Sequence, residues 1–234
     1  MTPPARTKSA SKRPNSYRPL PSEKRIARWT SMFYRDRQGV YRANPGLDKH
    51  LSAVRKYSTR LARAMKKAGI EVDVDVVSKA AAMHDVAINQ QKFRKFGTVM
   101  DTEHEQLAKR LLVRTGFRRV GQVVGEHGDP GGHKQGTGPE RVAEMQRMKA
   151  HTSVEGQVLD YVDSRTAGDV FGSLDEKLGY CIAKYGNWEN LPRHMRNPKE
   201  YIQYITGKFG ELQKFEDWLK SNGIDPDAVV RRKR

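Results

Sequence analysis

The chain has 234 residues and a net charge of +17, with 36% hydrophobic and 30% charged residues. This length suffices for one sizeable domain with a packed core. No apolar run approaches the roughly 18 residues that a membrane span needs, so we expect no membrane association. The single cysteine, Cys181, excludes an intramolecular disulfide and favours a reducing, cytoplasmic compartment.

The positive charge is concentrated at the two ends of the chain. Residues 1–42 carry +9 of the net charge, and residues 231–234 form a basic tail that carries +4. Residues 1–22 contain five prolines and no acidic residue, which predicts a disordered basic arm. Basic ends attract polyanions such as nucleic acid, and a solubilising role is an equally consistent interpretation.

Hydrophobic periodicity predicts an all-α protein with no strands beyond one short candidate. We expect helices over 23–34, from a cap at Asp48 to Gly69, and then over 74–86, 102–115, 118–126, 140–149, 153–167, 173–184 and 199–220. We interpret residues 23–172 as the catalytic body and 173–230 as a helical extension. Three roles are open for that extension: it would cover the active site, mediate formation of a homodimer, or simply lengthen the bundle.

Histidines and carboxylates recur at the ends of these helices or beside their apolar stripes. The series in chain order is His50, the doublet His84-Asp85, His104, His127 and Asp163. Buried ionisable groups are costly unless they are paired or bind a metal, and separate helices of a bundle can direct such side chains into one pocket. Imidazole and carboxylate together suit divalent transition metals such as Mn, Fe, Co, Ni or Zn. Six ligands are more than one tetrahedral zinc ion binds, but they match the number that two ions need when they share a carboxylate.

Four members of the series also have an ordinary alternative or a rival. His84 suits a hydrogen-bonded core histidine, and His104 suits a solvated surface residue. Asp160 is a rival of Asp163, because it lies one helical turn earlier on a similar face. His133 is a rival of His127, although it belongs to a glycine-rich segment that predicts a mobile loop.

The order H…HD…H…H…D over helices resembles the HD-domain superfamily of metal-dependent phosphohydrolases, across roughly residues 45–170. The matching strings are Asp48-Lys49-His50-Leu51, Ala81-Ala82-Met83-His84-Asp85, Glu103-His104-Glu105, Val123-Val124-Gly125-Glu126-His127 and Val158-Leu159-Asp160-Tyr161-Val162-Asp163. The resemblance implies a helical bundle with the metal site in its centre. By the same resemblance, His50, His84, Asp85 and Asp163 would hold a first ion, and His104 and His127 would join Asp85 at a second.

The implied activity is hydrolysis of a phosphoester, phosphoanhydride or phosphodiester bond in a nucleotide-like substrate by a metal-activated hydroxide. The chain departs from the family pattern after the doublet, where many members carry glycine and lysine and this chain has Val86-Ala87-Ile88. The cation that contacts the substrate phosphate would then be Lys49 or Lys134, or alternatively Lys92, Arg94 or Arg165. Three other functions remain open: a nuclease acting on single-stranded nucleic acid, a di-iron oxygenase of the same superfamily, and a non-catalytic nucleic-acid-binding module.

Overall fold

The computed structural model describes residues 20–32, 45–87, 104–127, 138–187, 189 and 197–231. Within these residues the protein is almost entirely helical, which confirms the predicted fold class. The helices are α1 (Glu23–Met32), α2 (Pro45–Lys67), α3 (Val74–Ala81), α4 (His104–Arg114), α5 (Arg118–Glu126), α6 (Gly138–Lys149), α7 (Val154–Arg165), α8 (Leu174–Tyr185), α9 (Pro198–Ser221) and α10 (Pro226–Arg231). Two antiparallel strands, β1 (Thr166–Ala167) and β2 (Val170–Phe171), lie between α7 and α8. No described helix has both the length and the apolar character that a membrane crossing requires.

The short helix α3 lies at the centre of the body, where it packs against α2, α5 and α7. Its start is fixed by Asp73, whose side chain accepts hydrogen bonds from the backbone N–H groups of Asp75 and Val76. Val76, Val77, Ala80 and Ala81 are buried, and the small alanines let the surrounding helices approach closely. Because α3 is covered on several sides, the chain that leaves its end emerges inside the protein.

The C-terminal helices pack onto this body. The long helix α9 contacts α6, α7 and α8, and α10 folds back onto α2. Arg60 in α2 donates a hydrogen bond of 2.6 Å to the carbonyl oxygen of Val230 in α10. The helix α10 is an element that the sequence pattern did not predict.

Two of the helix boundaries that differ from their predictions lie next to the proposed site. Helix α3 ends at Ala81, and residues 82–87 form turns in which the N–H of Met83 bonds to Ala80 and that of Val86 bonds to Met83. The doublet His84-Asp85 therefore stands on turns after the helix and not in its last turn.

The second wrong boundary is the start of α2. This helix begins at Pro45, which suits a first turn because proline has no N–H to leave unpaired. Asp48 consequently lies within the first turn instead of at the cap, and His50 falls in the second turn. The predicted end of α2 at Gly69 is confirmed, since Gly69 has the positive φ of 84° that favours glycine after a helix.

Candidate metal centre

The six side chains singled out from the sequence meet in one place, although five separate segments supply them. His50 lies in α2, His104 is the first residue of α4 and Asp163 lies in the last turn of α7, whereas the other three follow helix ends. The full set is His50, His84, Asp85, His104, His127 and Asp163. Ring centroids are 5.3 Å apart from His50 to His84, 5.0 Å from His84 to His127 and 5.9 Å from His127 to His104.

A first group of ligand atoms is formed by His50, His84 and Asp163. One atom from each lies within 4.8 Å of the other two. Asp163 Oδ1 is 3.0 Å from His50 Nε2 and 3.2 Å from His84 Nε2. Two ligand atoms that are each about 2.1 Å from one metal ion are separated by about 3.0 to 3.4 Å, depending on the coordination geometry. These separations therefore fit ligands that share an ion.

Asp85 lies between this group and the remaining histidines. Its Oδ2 faces the first group, at 3.5 Å from His84 Nε2 and 3.7 Å from His50 Nε2. Its Oδ1 faces the other way and is 3.0 Å from His104 Nε2. The two oxygens of the Asp85 carboxylate thus face different imidazoles. A carboxylate that bridges two metal ions has the same arrangement.

A second group of ligand atoms contains His104, His127 and Glu105, again within 4.8 Å of one another. Glu105 is 6% exposed, and its Oε1 lies 3.5 Å from His104 Nε2. Sequence reasoning missed Glu105, because a glutamate in the first turn of a helix is typical of a solvated position. Two signals could have found it: its adjacency to a proposed ligand, and its helical spacing three and seven residues before the buried Ala108 and Leu112.

The imidazoles of His84 and His127 are oriented in the same way by main-chain carbonyls. His84 follows the end of α3 and its Nδ1 lies 2.9 Å from the carbonyl oxygen of Ala81. His127 follows the end of α5 and its Nδ1 bonds to the carbonyl oxygen of Val124. The last carbonyls of a helix have no intrahelical partner, so each accepts a hydrogen bond from a ring three residues later. Donation from Nδ1 leaves Nε2 as the lone-pair nitrogen, which is how metal-binding histidines are usually held.

His50 is oriented by a carbonyl as well, although that carbonyl is far away in the sequence. Its Nδ1 lies 3.3 Å from the carbonyl oxygen of Gly168, in the turn between β1 and β2. Gly168 has a positive φ of 62°, a conformation that glycine adopts at little cost. The hydroxyl of Tyr57 in α2 donates to the carbonyl of Asp169, which ties the same turn to α2.

Burial and charge also favour a cation at this place. His84 Nε2 is buried and faces two carboxylates, with Asp163 Oδ1 at 3.2 Å and Asp85 Oδ2 at 3.5 Å, as expected of a nitrogen directed at an ion that the carboxylates share. Although burial disfavours its charged form, the carboxylates of Asp85 and Asp163 raise the pKa of His84 to about 9. Burial and the neighbouring His84 charge lower the pKa of His127 to about 3. The two carboxylates thus favour positive charge at this place.

Asp163 lies with the histidines, and its rival Asp160 does not. Asp160 is buried on another side of α7, where it is ion-paired with Lys149 of α6 and lies 3.7 Å from Lys208 of α9. His151, which we expected to be a surface residue, is exposed. The other rival, His133, lies outside the described residues.

The candidate cations for substrate differ in accessibility. Lys49 is exposed on α2, next to His50. Arg165 is fully buried, and its guanidinium is held by Glu216 at 3.1 Å and Asp227 at 2.7 Å. Arg165 is therefore not available to a substrate. Lys134, together with Lys92 and Arg94, lies outside the described residues.

Comparison of the chain with protein-family models, with curated proteins and with solved structures finds no match. The assignment of the site therefore rests on its geometry. The chain is a helical protein with histidine and carboxylate groups that could hold a metal ion.

Proposed function

We propose that the protein is a metal-dependent phosphohydrolase of the HD-domain type that acts on a nucleotide-like substrate. The observation that carries this proposal is the position of Asp85 between two groups of imidazoles, with one oxygen directed at each group. A bridged pair of ions is a common means of hydrolysing phosphate esters, because it can stabilise both the attacking and the leaving oxygen.

The residues fit two ions of a divalent transition metal, drawn from Mn, Fe, Co, Ni or Zn. His50, His84 and Asp163 would hold one ion, His104 and His127 would hold the other, and Asp85 would contact both. When bound, such ions would activate a water nucleophile and neutralise charge that develops on the phosphate oxygens. The side chains themselves fix the two positions before substrate arrives, since main-chain carbonyls hold three of the rings.

One side of the site is accessible to a substrate. The side chain of Asp163 is 25% exposed and that of His50 is 18% exposed, whereas that of His84 is 0% exposed. A phosphate group would therefore approach over Asp163 and His50. Lys49 precedes His50 on α2 and is exposed, and we propose its long side chain as the cation that contacts the substrate phosphate.

We expect the Lys49→Ala variant to bind substrate more weakly without losing metal. Losing one charged hydrogen bond to phosphate should raise KM about ten-fold, about 1.4 kcal/mol, and leave kcat within about two-fold. Steady-state kinetics and elemental analysis of the same preparation measure both quantities. Lys49→Arg should retain most of the affinity, and Lys66→Ala, at the far end of α2, serves as the control. An unchanged KM in Lys49→Ala would remove Lys49 from the substrate site.

The proposed function is tested by metal dependence and substrate preference together. Freshly purified protein should contain transition metal. Stripping with a chelator should abolish phosphate release from a panel of nucleoside phosphates and a nitrophenyl phosphodiester, and Mn²⁺, Co²⁺ or Ni²⁺ should restore it. His84→Ala should purify with little metal, whereas His151→Ala, which changes an exposed histidine, should match the parent. Equal metal content in both variants, or no hydrolysis with any ion, would refute the proposal.

A second candidate is favoured by the donor set itself. Two histidines with one carboxylate, as in His50, His84 and Asp163, are also the ligands that non-haem iron oxygenases use. A di-iron oxygenase would consume oxygen with iron and release no phosphate from the same panel. A third possibility, cleavage of single-stranded nucleic acid, rests on the basic ends of the chain and is tested by adding labelled DNA and RNA to the panel.

A further inference from the structure

Glu105 is a buried carboxylate that the six-residue series leaves without a role. It belongs to the first turn of α4, directly after His104, and is 6% exposed. Its Oε2 is buried and has no hydrogen-bond partner among the described residues. An unpaired buried carboxylate oxygen is unusual, because its desolvation costs several kcal/mol unless something compensates the charge.

Among the described residues, the basic groups near Glu105 also face other carboxylates, since His104 Nε2 is 3.0 Å from Asp85 Oδ1. Lys208, whose charge also acts on Glu105, is directed at Asp160 at a distance of 3.7 Å. Oε1 of Glu105 instead faces the site, 3.5 Å from His104 Nε2 and in one group with His127.

We propose that Glu105 is a ligand of the second metal ion, together with His104 and His127. This inference rests on the proposed function, because it assumes that the centre binds metal. It gives the two halves of the site the same composition. Each half then has two histidines and one carboxylate of its own, and each receives one oxygen of Asp85.

This composition has a consequence for the ions that the second half prefers. Without Glu105, the second ion would have two imidazoles and one shared carboxylate oxygen. With Glu105 it has two nitrogen and two oxygen donors, and an octahedral ion keeps two positions for water and substrate. Additional carboxylate oxygen favours harder ions such as Mn²⁺ and Fe²⁺ over softer ones.

The test is the stoichiometry of Mn²⁺ binding to the full chain carrying Glu105→Gln. We expect the parent to bind two ions per chain. The variant should keep one ion and bind the second with an affinity at least ten-fold lower, because even substitutions around metal ligands typically lower metal affinity by about ten-fold or more. Electron paramagnetic resonance should show a coupled Mn²⁺ pair in the parent and isolated Mn²⁺ in the variant. Neither readout requires enzymatic activity.

The melting temperatures of the metal-free proteins show whether Glu105 is a metal ligand or a residue that stabilises the fold. Glu105→Gln should leave the metal-free Tm unchanged or raise it, because the amide removes the cost of burying a carboxylate charge. The stabilisation on adding Mn²⁺ should be smaller than in the parent. A residue with a structural role would lower the metal-free Tm instead. Glu105→Met repeats the test with an apolar side chain of similar length, in case the amide variant fails to fold.

The matched control is Glu155→Gln, which makes the same change in the first turn of α7. Its side chain is 14% exposed and accepts a hydrogen bond from the Asp73 N–H, which an amide oxygen can also accept. This control should bind two ions. Parent-like binding of two ions by Glu105→Gln overturns the inference alone, as does a parent that binds a single ion. A parent that binds no transition metal overturns the proposed function as well.

Discussion

Replacing Asp85 by asparagine should cost the protein both metal ions and nearly all of its phosphohydrolase activity. The two carboxylate oxygens face different groups of imidazoles, so one substitution removes a charged ligand from both ions at once. Metal ions contribute several kcal/mol of transition-state stabilisation, and each 1.4 kcal/mol is a factor of about ten in rate. We therefore expect the rate of phosphate release to fall by about a thousand-fold or more, with less than one ion bound per chain.

Elemental analysis, Mn²⁺ titration and initial rates measure this prediction, with circular dichroism as the check on folding. Asp75→Asn is the control, because it changes an exposed aspartate in the first turn of α3, the helix that leads into the doublet. Comparison with His104→Ala is informative, since that variant should lose only the second ion. If Asp85→Asn binds two ions as tightly as the parent, Asp85 does not bridge and the paired centre is wrong.

The largest effect on stability is expected from Arg165→Met. The guanidinium of this buried side chain donates to the Tyr161 hydroxyl, to Glu216 in α9, to Asp227 in α10 and to the carbonyl of Gly172. Methionine fills similar space but removes the one buried cation from the Glu216 carboxylate, which keeps Lys220, a half-exposed side chain at 2.7 Å. Breaking one side of a buried ion pair costs about 3 to 5 kcal/mol, or about 10 °C in Tm for a chain of this size.

Urea denaturation of the metal-free protein measures the loss in the free energy of unfolding. Lys214→Met removes an exposed ion pair with Glu211 and should change stability by less than about 0.5 kcal/mol. The double variant Arg165→Met, Glu216→Met should recover part of the loss, because no unpaired charge stays buried. A cost below about 1 kcal/mol for Arg165→Met would mean that the network does not hold α9 and α10 against α7.

The order of the ligands could be predicted from the sequence, because each one stands at a helix end or beside an apolar stripe. The choice between Asp160 and Asp163 could not be derived from periodicity, since residues three apart share a helix face. Tertiary contacts separate them: Lys149 of α6 pairs with Asp160, whereas His50 and His84 surround Asp163. The metal ligation of these residues remains a prediction.

The end of α3 and the role of Glu105 show where sequence reasoning stops. The run from Ala80 to Met83 has high helix propensity, yet the helix ends at Ala81, where the carbonyl is taken by the ring of His84. The end of α3 thus coincides with a local hydrogen bond between a side chain and the main chain, which helix propensity does not include. Glu105 shares the buried face of α4 with Ala108 and Leu112, but a glutamate is so often exposed that this spacing alone does not indicate its burial. The division into a body ending at residue 172 and an extension stays a prediction, and extensive contacts join the two parts.

The main-chain anchoring of His50, His84 and His127 has a consequence for redesign. A side-chain substitution elsewhere cannot delete a carbonyl, so these three rings keep their orientation unless the helix ends or the Gly168 turn are rebuilt. The carboxylates have no such protection and can be exchanged one at a time. An engineer could therefore retune ion preference through acidic positions alone, while the nitrogen framework stays constant.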